Sequence, residues 1–242
     1  MTTIGLDHAG VAVRDLDAAA RDWQALGFQV TALAPHLPGG VTGNRCIMFH
    51  DCYVELIAVI QPGGHSATLA GFLARYEGVH VLSLATDNVD QAAARLGQTV
   101  IRSERPTDAG LARFARVALT AMVPRLQLIQ HLTPDLVWRP AEMVHPNQAL
   151  ALRAIVVIAA DPAALASALA TAAGVPAEPI AGGLRLRLGI GEIRVLAGTD
   201  SFLPGLVPPS LPWVAGIEVQ SADLARVGQV VAASGVHIRF VA

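Results

Sequence analysis

Few residues of this sequence are charged, and very few are cysteine. Acidic and basic residues make up 15% of the 242 positions, the formal net charge is −2, and the two cysteines are Cys46 and Cys52. So small a net charge provides no basic surface for nucleic acid. Two cysteines could be bridged only if their geometry allowed it, and a reduced cytoplasmic pair is the better interpretation. The composition therefore excludes a nucleic-acid partner and favours a reducing compartment.

Long apolar runs and several catalytic motifs are also missing. No stretch is long enough to span a bilayer, and MTTIGLDH lacks the charged and apolar regions of a signal peptide. There is no glycine-rich phosphate loop, no G-x-S-x-G elbow and no zinc ribbon. We therefore expect a cytoplasmic protein without a membrane partner. Hydrophobic residues make up 53% of the chain, enough for a substantial core.

What the sequence does contain is a repeated order of elements. The pattern predicts a strand over 5–13, a helix that begins at Asp15, and strands over 28–33, 45–49 and 53–60. After a connecting helix over 67–76, the order returns: HVLSLATDNVDQAAA echoes HAGVAVRDLDAAA, and RLQLIQH echoes YVELIAV. Self-similarity of this kind is weighed before any single motif. The first 140 residues thus read as two βαβββ modules.

Two more copies follow in the second half. The third begins at Leu152, with Asp161 capping a helix that starts at Pro162. The fourth begins at Trp213 and is predicted as strand, helix and strand, without its last two strands. Proline-rich linkers occupy 133–148 and 204–212. The sequence predicts two domains, 1–140 and 148–242, the second a degenerate and incomplete module pair.

Glu55 is the most unusual residue of the first module. It lies inside YVELIAV, a run that otherwise has the composition of a buried strand. An ionised, unpaired carboxylate there would cost several kcal/mol. Glu55 must therefore face a partner that satisfies it.

These features resemble the vicinal oxygen chelate superfamily, and its bacterial glyoxalase-like branch in particular. The resemblance is carried by LDHAGVAVRDLDAAA, GNRCIMFHDCYVELIAV and VPRLQLIQHLTPDLVWRP, and it is strongest over 5–150. It implies an α+β fold in which repeated βαβββ modules form a cupped mixed sheet. It also implies a metal inside the cup, held by the first and fourth strands of both modules. One departure is local, because Val41-Thr42-Gly43-Asn44 lacks the first glycine of the family loop.

The resemblance implies particular ligands. His8 and Glu55 come from the first module, with Glu55 also the catalytic candidate, and His80 and Gln127 come from the second. Imidazole and carboxylate together suit a divalent metal such as Zn, Ni, Fe, Mn or Co. Alternatively, Glu55 lines a wet cleft and His8 is a hydrogen-bonded core residue.

The register of the second module leaves His80 undecided. If Asp15 is matched to Asp87, His8 corresponds to His80. If residues 15–17 are matched to 88–90, His8 corresponds to Val81. A shift of one residue moves every side chain to the other face of a strand. His80 is then either a ligand or a histidine on the helix side of the sheet.

Other polar residues are candidates for substrate binding at the mouth of the cup, namely His36, Asn44, Arg45 and His131. Arg45 could anchor a substrate carboxylate or pair with Asp51. The second module pair has Ala154 and Gly216 where the first-strand ligands would lie. We expect no metal there, and we expect Glu192 and Glu218 to be structural or exposed to solvent.

The leading hypothesis is a divalent-metal-dependent lyase, isomerase or dioxygenase that acts on a small molecule with adjacent oxygens. The alternative is a metal-free module of the same fold that binds a small molecule or sequesters an antibiotic. A third reading is structural: the unfinished fourth module leaves a sheet edge that could pair with a second copy in a homodimer.

Overall fold

Two mixed sheets form most of the molecule. The computed structural model describes residues 5–37 and 39–242. The first sheet has eight strands in the order β2-β3-β4-β1-β5-β8-β7-β6. They are β1 (Gly5–Ala12), β2 (Ala34–Pro35), β3 (Thr42–Met48), β4 (Tyr53–Val59), β5 (Gly78–Ala85), β6 (Ile101–Thr107), β7 (Gly110–Leu119) and β8 (Arg125–His131). The expected α+β class and the cupped mixed sheet are confirmed.

The second sheet repeats this plan with seven strands, in the order β10-β11-β12-β9-β13-β15-β14. They are β9 (Ala149–Ile158), β10 (Ala177–Ile180), β11 (Gly183–Arg187), β12 (Glu192–Leu196), β13 (Trp213–Ser221), β14 (Val230–Ala233) and β15 (Val236–Val241). In both sheets the two central strands are antiparallel, and each pairs in parallel with the last strand of its own module.

Four α-helices join the strands in the described part of the chain. They are α1 (Leu16–Ala25), α2 (Ala67–Arg75), α3 (Val89–Leu96) and α4 (Pro162–Ala173). The side chains that precede them accept hydrogen bonds from first-turn backbone N–H groups, as the sequence predicts at Asp15 and Asp161; the other two caps are Ser66 and Asn88. Such caps satisfy donors that a helix start leaves free. No helix among residues 5–37 and 39–242 has the length and apolar character needed to cross a membrane.

One predicted strand is absent. The segment 28–33 is irregular, although it runs beside β3. The Thr31 backbone N–H donates to the Cys46 carbonyl at 2.9 Å, and the Thr31 hydroxyl accepts from the Cys46 N–H at 2.8 Å. Because a threonine side chain takes a place in the pairing that a backbone group would fill, a regular ladder does not form.

The fourth module also differs from its prediction. Between β13 and β14 lies a short 3-10 helix, Leu224–Arg226, instead of an α-helix. Gly228 follows with a φ of 87°, a conformation that ends a helix. The expectation that this copy lacks its last two strands is wrong, because β15 pairs in parallel with β13 just as β4 pairs with β1. The copy lacks its helix and one strand.

One hydrophobic core extends across both sheets. Phe28 stacks on Phe240 with ring centroids 6.1 Å apart, and the Leu6 N–H donates to the Ile190 carbonyl at 2.8 Å. The linker is also fixed, since the His145 ring bonds to the Gln29 N–H and the Met48 carbonyl. We propose domains 1–140 and 148–242 as two halves that share this core.

Candidate functional site

A cup with a volume of about 870 Å³ opens on one face of the first sheet. On β4, Tyr53, Glu55 and Ile57 line the cup, whereas Val54 and Leu56 are fully buried in the core on the opposite face. The alternation of a strand therefore directs Glu55 into the cup. The residue that is out of place in an apolar strand faces a cavity with polar partners.

Glu55 is held on both carboxylate oxygens. Its Oε1 accepts a hydrogen bond from Asn44 Nδ2 at 2.5 Å and lies 3.3 Å from His36 Nε2, while its Oε2 lies 3.5 Å from His8 Nε2. Burial raises the pKa of Glu55, but the hydrogen bond from His36, the charges of His8 and His36, and the bond from Asn44 lower it to about 2. Glu55 is therefore ionised at neutral pH.

His8 reaches the cup through a β-bulge in β1. Leu6 pairs with Leu84 and His8 with Ser83, so Asp7 is an extra residue in β1. A bulge reorients the side chains beside it. It leaves Asp7 and His8 in contact, and the His8 Nδ1–H donates to Asp7 Oδ1 at 2.6 Å. Burial lowers the pKa of His8, but the hydrogen bond to Asp7 and the charges of Asp7 and Glu55 outweigh this and raise it.

Asp7 also binds a second histidine. The His131 Nε2–H donates to Asp7 Oδ2 at 3.0 Å, and Trp138 packs against the His131 ring at 4.7 Å. Burial raises the pKa of Asp7, but the hydrogen bonds from His131 and His8 and their charges lower it. A fully buried carboxylate thus orients two imidazoles, while Tyr53 stacks on the His8 ring at 4.5 Å.

Gln127 contributes from the second module. Its Nε2 lies 3.2 Å from His8 Nε2 and donates to Ser83 Oγ, also at 3.2 Å. On β5 and β8, Ser83 pairs with Gln127 as Gly10 pairs with Glu55 on β1 and β4. Gln127 is therefore the counterpart of Glu55, as the sequence comparison predicts.

The same registers correct the interpretation of His80. Because Gly10 pairs with Val81, and His8 with Ser83, the counterpart of His8 is Val81. His80 is the extra residue of a second bulge, equivalent to Asp7. Its ring lies between Phe72 and Tyr76, and its Nε2–H donates to the Tyr76 carbonyl at 2.8 Å. His80 is thus not part of the cluster, and the second alternative for the register holds.

The other predicted substrate contacts divide into two groups. His36 and Asn44 line the cup and bind Glu55. Arg45 instead donates to Asp17 at 2.8 Å and to the Thr31 carbonyl at 3.2 Å, outside the cup, and not to Asp51. His131 lies behind the cup with Asp7 and does not line it. The structure therefore brings together His8, His36, Asn44, Glu55 and Gln127.

Three arginines face the cup from the second module without an acidic partner among the described residues: Arg105, Arg116 and Arg125. Arg105 lies over the Phe114 ring, 5.6 Å from its centroid, and Arg125 lies 5.5 Å from that of Phe72. Burial and the charge of Arg116 lower the pKa of Arg125. This wall of the cup therefore carries uncompensated positive charge.

Asp7, Ser83 and these arginines belong to the site but were not among the residues predicted from the sequence. A signal for Asp7 was present, because Asp7, like Glu55, is a carboxylate in an apolar strand. No sequence pattern marks the bulge that turns it towards His8. The three arginines lie on three different strands, β6, β7 and β8, and only the order of these strands in the sheet shows that they form one wall of the cup.

The second sheet holds ion pairs where the first has its polar cluster. Arg194 donates to Glu192 at 2.5 Å and to Glu218 at 2.9 Å, and Arg239 lies 3.6 Å from Glu218. These carboxylates are occupied structurally, in agreement with the expectation for Glu192 and Glu218.

The residues around His8 fit a weakly held divalent transition metal. His8 Nε2 and Glu55 Oε2 form a mixed nitrogen and oxygen pair of the kind such metals accept. Rotating the Gln127 amide by half a turn would present its oxygen at the same point. A carboxylate behind the imidazole, here Asp7, is the usual support of a ligating histidine. No three His, Cys, Asp or Glu side chains of the described residues form such a group, so a third donor would have to come from the Gln127 amide.

The pKa of Glu55 makes a prediction about stability. Its carboxylate contributes fully above its ordinary pKa of 4.5, and the contribution is lost as the pH falls towards about 2. We expect the difference in unfolding free energy between the wild type and Glu55→Gln to shrink by about 3 kcal/mol from pH 6 to pH 2. Denaturant titrations of both proteins at each pH, with a chelator present, measure this difference in unfolding free energy. A difference that does not change with pH would refute the pairing of Glu55 with His8 and His36.

Comparison with known proteins agrees with this fold and cup. A family model described as "Glyoxalase-like domain" matches residues 6–173. A hypothetical protein from Staphylococcus aureus superimposes with a TM-score of 0.74 at 15% identity, over 97% of both chains. A mutant of 4-hydroxymandelate synthase from Streptomyces coelicolor gives 0.62 at 17% identity, over 93% of this chain and 73% of that one. A search of curated proteins found no match.

Paired βαβββ modules curled around a cup are the arrangement of the vicinal oxygen chelate fold, which the 4-hydroxymandelate synthase shares. Within it, the chain belongs to the glyoxalase-like domain family, since the match covers well over half of its length. At 15–17% identity the solved structures show the fold alone.

Proposed function

We propose that this protein is a metal-dependent enzyme whose substrate is a small molecule with two adjacent oxygens, bound in the cup of the first sheet. His8, Glu55 and Gln127 hold the metal. The supporting relatives include a synthase of 4-hydroxymandelate by its printed name, and the family itself is glyoxalase-like. The reaction class is that of a lyase, an isomerase or a dioxygenase.

One observation carries the proposal. Three polar side chains from β1, β4 and β8 converge in a cup, with His8 Nε2 lying 3.5 Å from Glu55 Oε2 and 3.2 Å from the Gln127 amide. Asp7 and Glu55 raise the pKa of His8, so this point favours positive charge. A divalent cation would take the place of the proton on His8 Nε2 beside these two carboxylates, and that proton would be released when the metal binds.

The chain's own residues prepare this centre. When bound, the metal supplies Lewis acidity to substrate oxygens. Asp7 fixes the orientation of the His8 ring by accepting its Nδ1–H, and Tyr53 restricts the ring by stacking on it. Asn44 and His36 occupy Glu55 Oε1, which leaves Oε2 directed at His8. Ile57, Val81 and Ile129 line the cup and provide apolar surface beside the polar cluster.

Metal content tests the proposal. We expect purified wild type, supplied with Mn, Co, Ni or Zn, to bind close to one equivalent on elemental analysis, and His8→Ala and Glu55→Gln to lose it. His80→Ala is the matched control and should retain it, because His80 lies between Phe72 and Tyr76 away from the cup. A wild type that takes up no metal after reconstitution would refute metal dependence.

A second candidate function is metal-free binding of a small molecule in the same cup. The observation in its favour is Val81, which occupies the place equivalent to His8 and offers no ligand. The test is thermal shift with a library of small molecules after chelator treatment. Ligands that stabilise the protein equally with and without metal would favour this candidate.

A further inference from the structure

We propose that Arg116 and Arg125 bind an anionic group, a carboxylate or a phosphate, on the small molecule that occupies the cup. The inference rests on the proposed function, because it assigns a chemical class to the substrate of the same site. The reacting oxygens and the anionic group of that molecule would lie close together, because Gln127, a proposed metal ligand, lies between the rows of the two arginines.

The position of the two arginines is the first argument. On β8, Arg125 and Gln127 are two residues apart and line the cup together with Ile129. Arg116, on β7, pairs with Ile129 of β8, whereas Arg125, on β8, pairs with Val81 of β5. The arginines therefore lie in rows on either side of the row that contains Gln127. Both belong to the wall that faces Glu55 across the central strands.

Their lack of acidic partners is the second argument. All 17 basic residues of this chain are arginines, and most that are described have a carboxylate within 4.0 Å: those in ion pairs are Arg14, Arg45, Arg102, Arg113, Arg139, Arg185, Arg187, Arg194, Arg226 and Arg239. Within the described chain, Arg116 and Arg125 have none, and the buried Nε of Arg125 has no hydrogen-bond partner at all. A half-buried guanidinium that lacks an acceptor has unmet bonding capacity.

The chemistry of the guanidinium group selects the ligand. Its planar donors match the two oxygens of a carboxylate or phosphate. Placing two guanidinium groups in one cavity without an acidic partner for either costs electrostatic repulsion, which an anion would relieve. The acids that line the cup are already engaged: Glu104 pairs with Arg113, Asp108 and Glu142 pair with Arg139, and Glu55 binds His8 and His36.

The experiment measures anion binding by the full chain after chelator treatment, so that no metal can hold the anion. Isothermal titration uses succinate and inorganic phosphate as probes and neutral succinamide as a control. We expect at least one anion to bind, and Arg116→Gln and Arg125→Gln to weaken its binding about tenfold each. Arg125→Lys should retain part of the affinity, since it keeps the charge. Arg187→Gln is the control, because Arg187 lies on β11 of the second sheet and pairs with Glu178, and neither residue lines the cup.

The outcomes separate the two anions and the two proposals. Preference for succinate identifies a carboxylate, and preference for phosphate identifies a phosphate group. Anion binding that is unchanged in both glutamine variants, equal binding of succinamide, or no binding of either anion would overturn the inference. Manganese uptake by the same variants provides the independent readout. Arginine variants that lose anion binding but take up manganese normally would support the role of the arginines in anion binding. A wild type that binds the anion but takes up no metal would refute the proposed metal dependence and leave the anion site standing.

Discussion

Val81→His is expected to tighten the binding of a divalent transition metal on the order of 100-fold, in line with the size of effects seen when metal sites gain or lose supporting groups. Val81 is the counterpart of His8 in the second module, and its side chain lines the cup. An imidazole there would add a fourth donor to the three proposed ligands, His8, Glu55 and Gln127, and would complete the four-coordinate set that zinc prefers. Val81 already packs closely over Gly10, where an added Cβ would lie 2.9 Å from the Val81 Cβ, so the larger ring must extend into the cup.

Competition with a chromophoric chelator measures this change in affinity for Zn and Co. The control is Val79→His on the same strand, because Val79 is fully buried in the core and faces away from the cup; it is expected to destabilise the protein without gaining metal. A Co-loaded Val81→His protein should also show the absorption of a tetrahedral site. Unaltered affinity and an unaltered Co spectrum in a folded Val81→His protein would contradict the placement of the site.

Asp7→Ala should lower the free energy of unfolding by about 3–5 kcal/mol at pH 7. Asp7 is 1% exposed and accepts hydrogen bonds from His8 at 2.6 Å and from His131 at 3.0 Å. Removing one member of a buried charged group leaves the others without a partner, and both imidazoles would lose theirs. The Nδ1 of His131 has no hydrogen-bond partner in the described chain, so Asp7 accepts the ring's one side-chain hydrogen bond there.

Urea titration of each variant measures this loss. Asp7→Asn keeps the shape and one acceptor, and a smaller loss is expected from it. Asp108→Ala is the surface control: Asp108 pairs with Arg139, but its side chain is 74% exposed, so its loss should stay below about 1 kcal/mol. If Asp7→Ala costs no more than Asp108→Ala, the buried network does not support the site.

The fold was predictable because its signals are local and repeated. Caps at Asp15, Asn88 and Asp161 mark helix starts without reference to the rest of the chain. The echo between YVELIAV and RLQLIQH gave the correspondence of Glu55 and Gln127, which the strand registers confirm. The prediction for the fourth module was wrong because Gly228 ends the helical pattern there, and Val230 and Val231 pair with β15.

The site was predictable only where strand alternation is regular. Glu55 follows the simple rule that alternate residues share a face, so its exposure to the cup could be derived. His80 and Asp7 lie at bulges, where that rule breaks, and bulges have no composition signal in either strand. The choice between Val81 and His80 as the counterpart of His8 therefore required the pairing itself. Arg45 shows a different difficulty, since its partner Asp17 lies on a helix 28 residues earlier.

The bulge at Asp7 has a consequence for how this site can change in evolution. Leu6 and Ala9 both lie in the core although they are three residues apart, because Asp7 is an extra residue between them. The alternation of core-facing and cup-facing residues therefore shifts by one position at Asp7. Deleting that one residue would restore plain alternation without disturbing the rest of the strand, and His8 would lose its supporting carboxylate. A single codon deletion, and not a series of substitutions, would thus be enough to remove the carboxylate that orients His8.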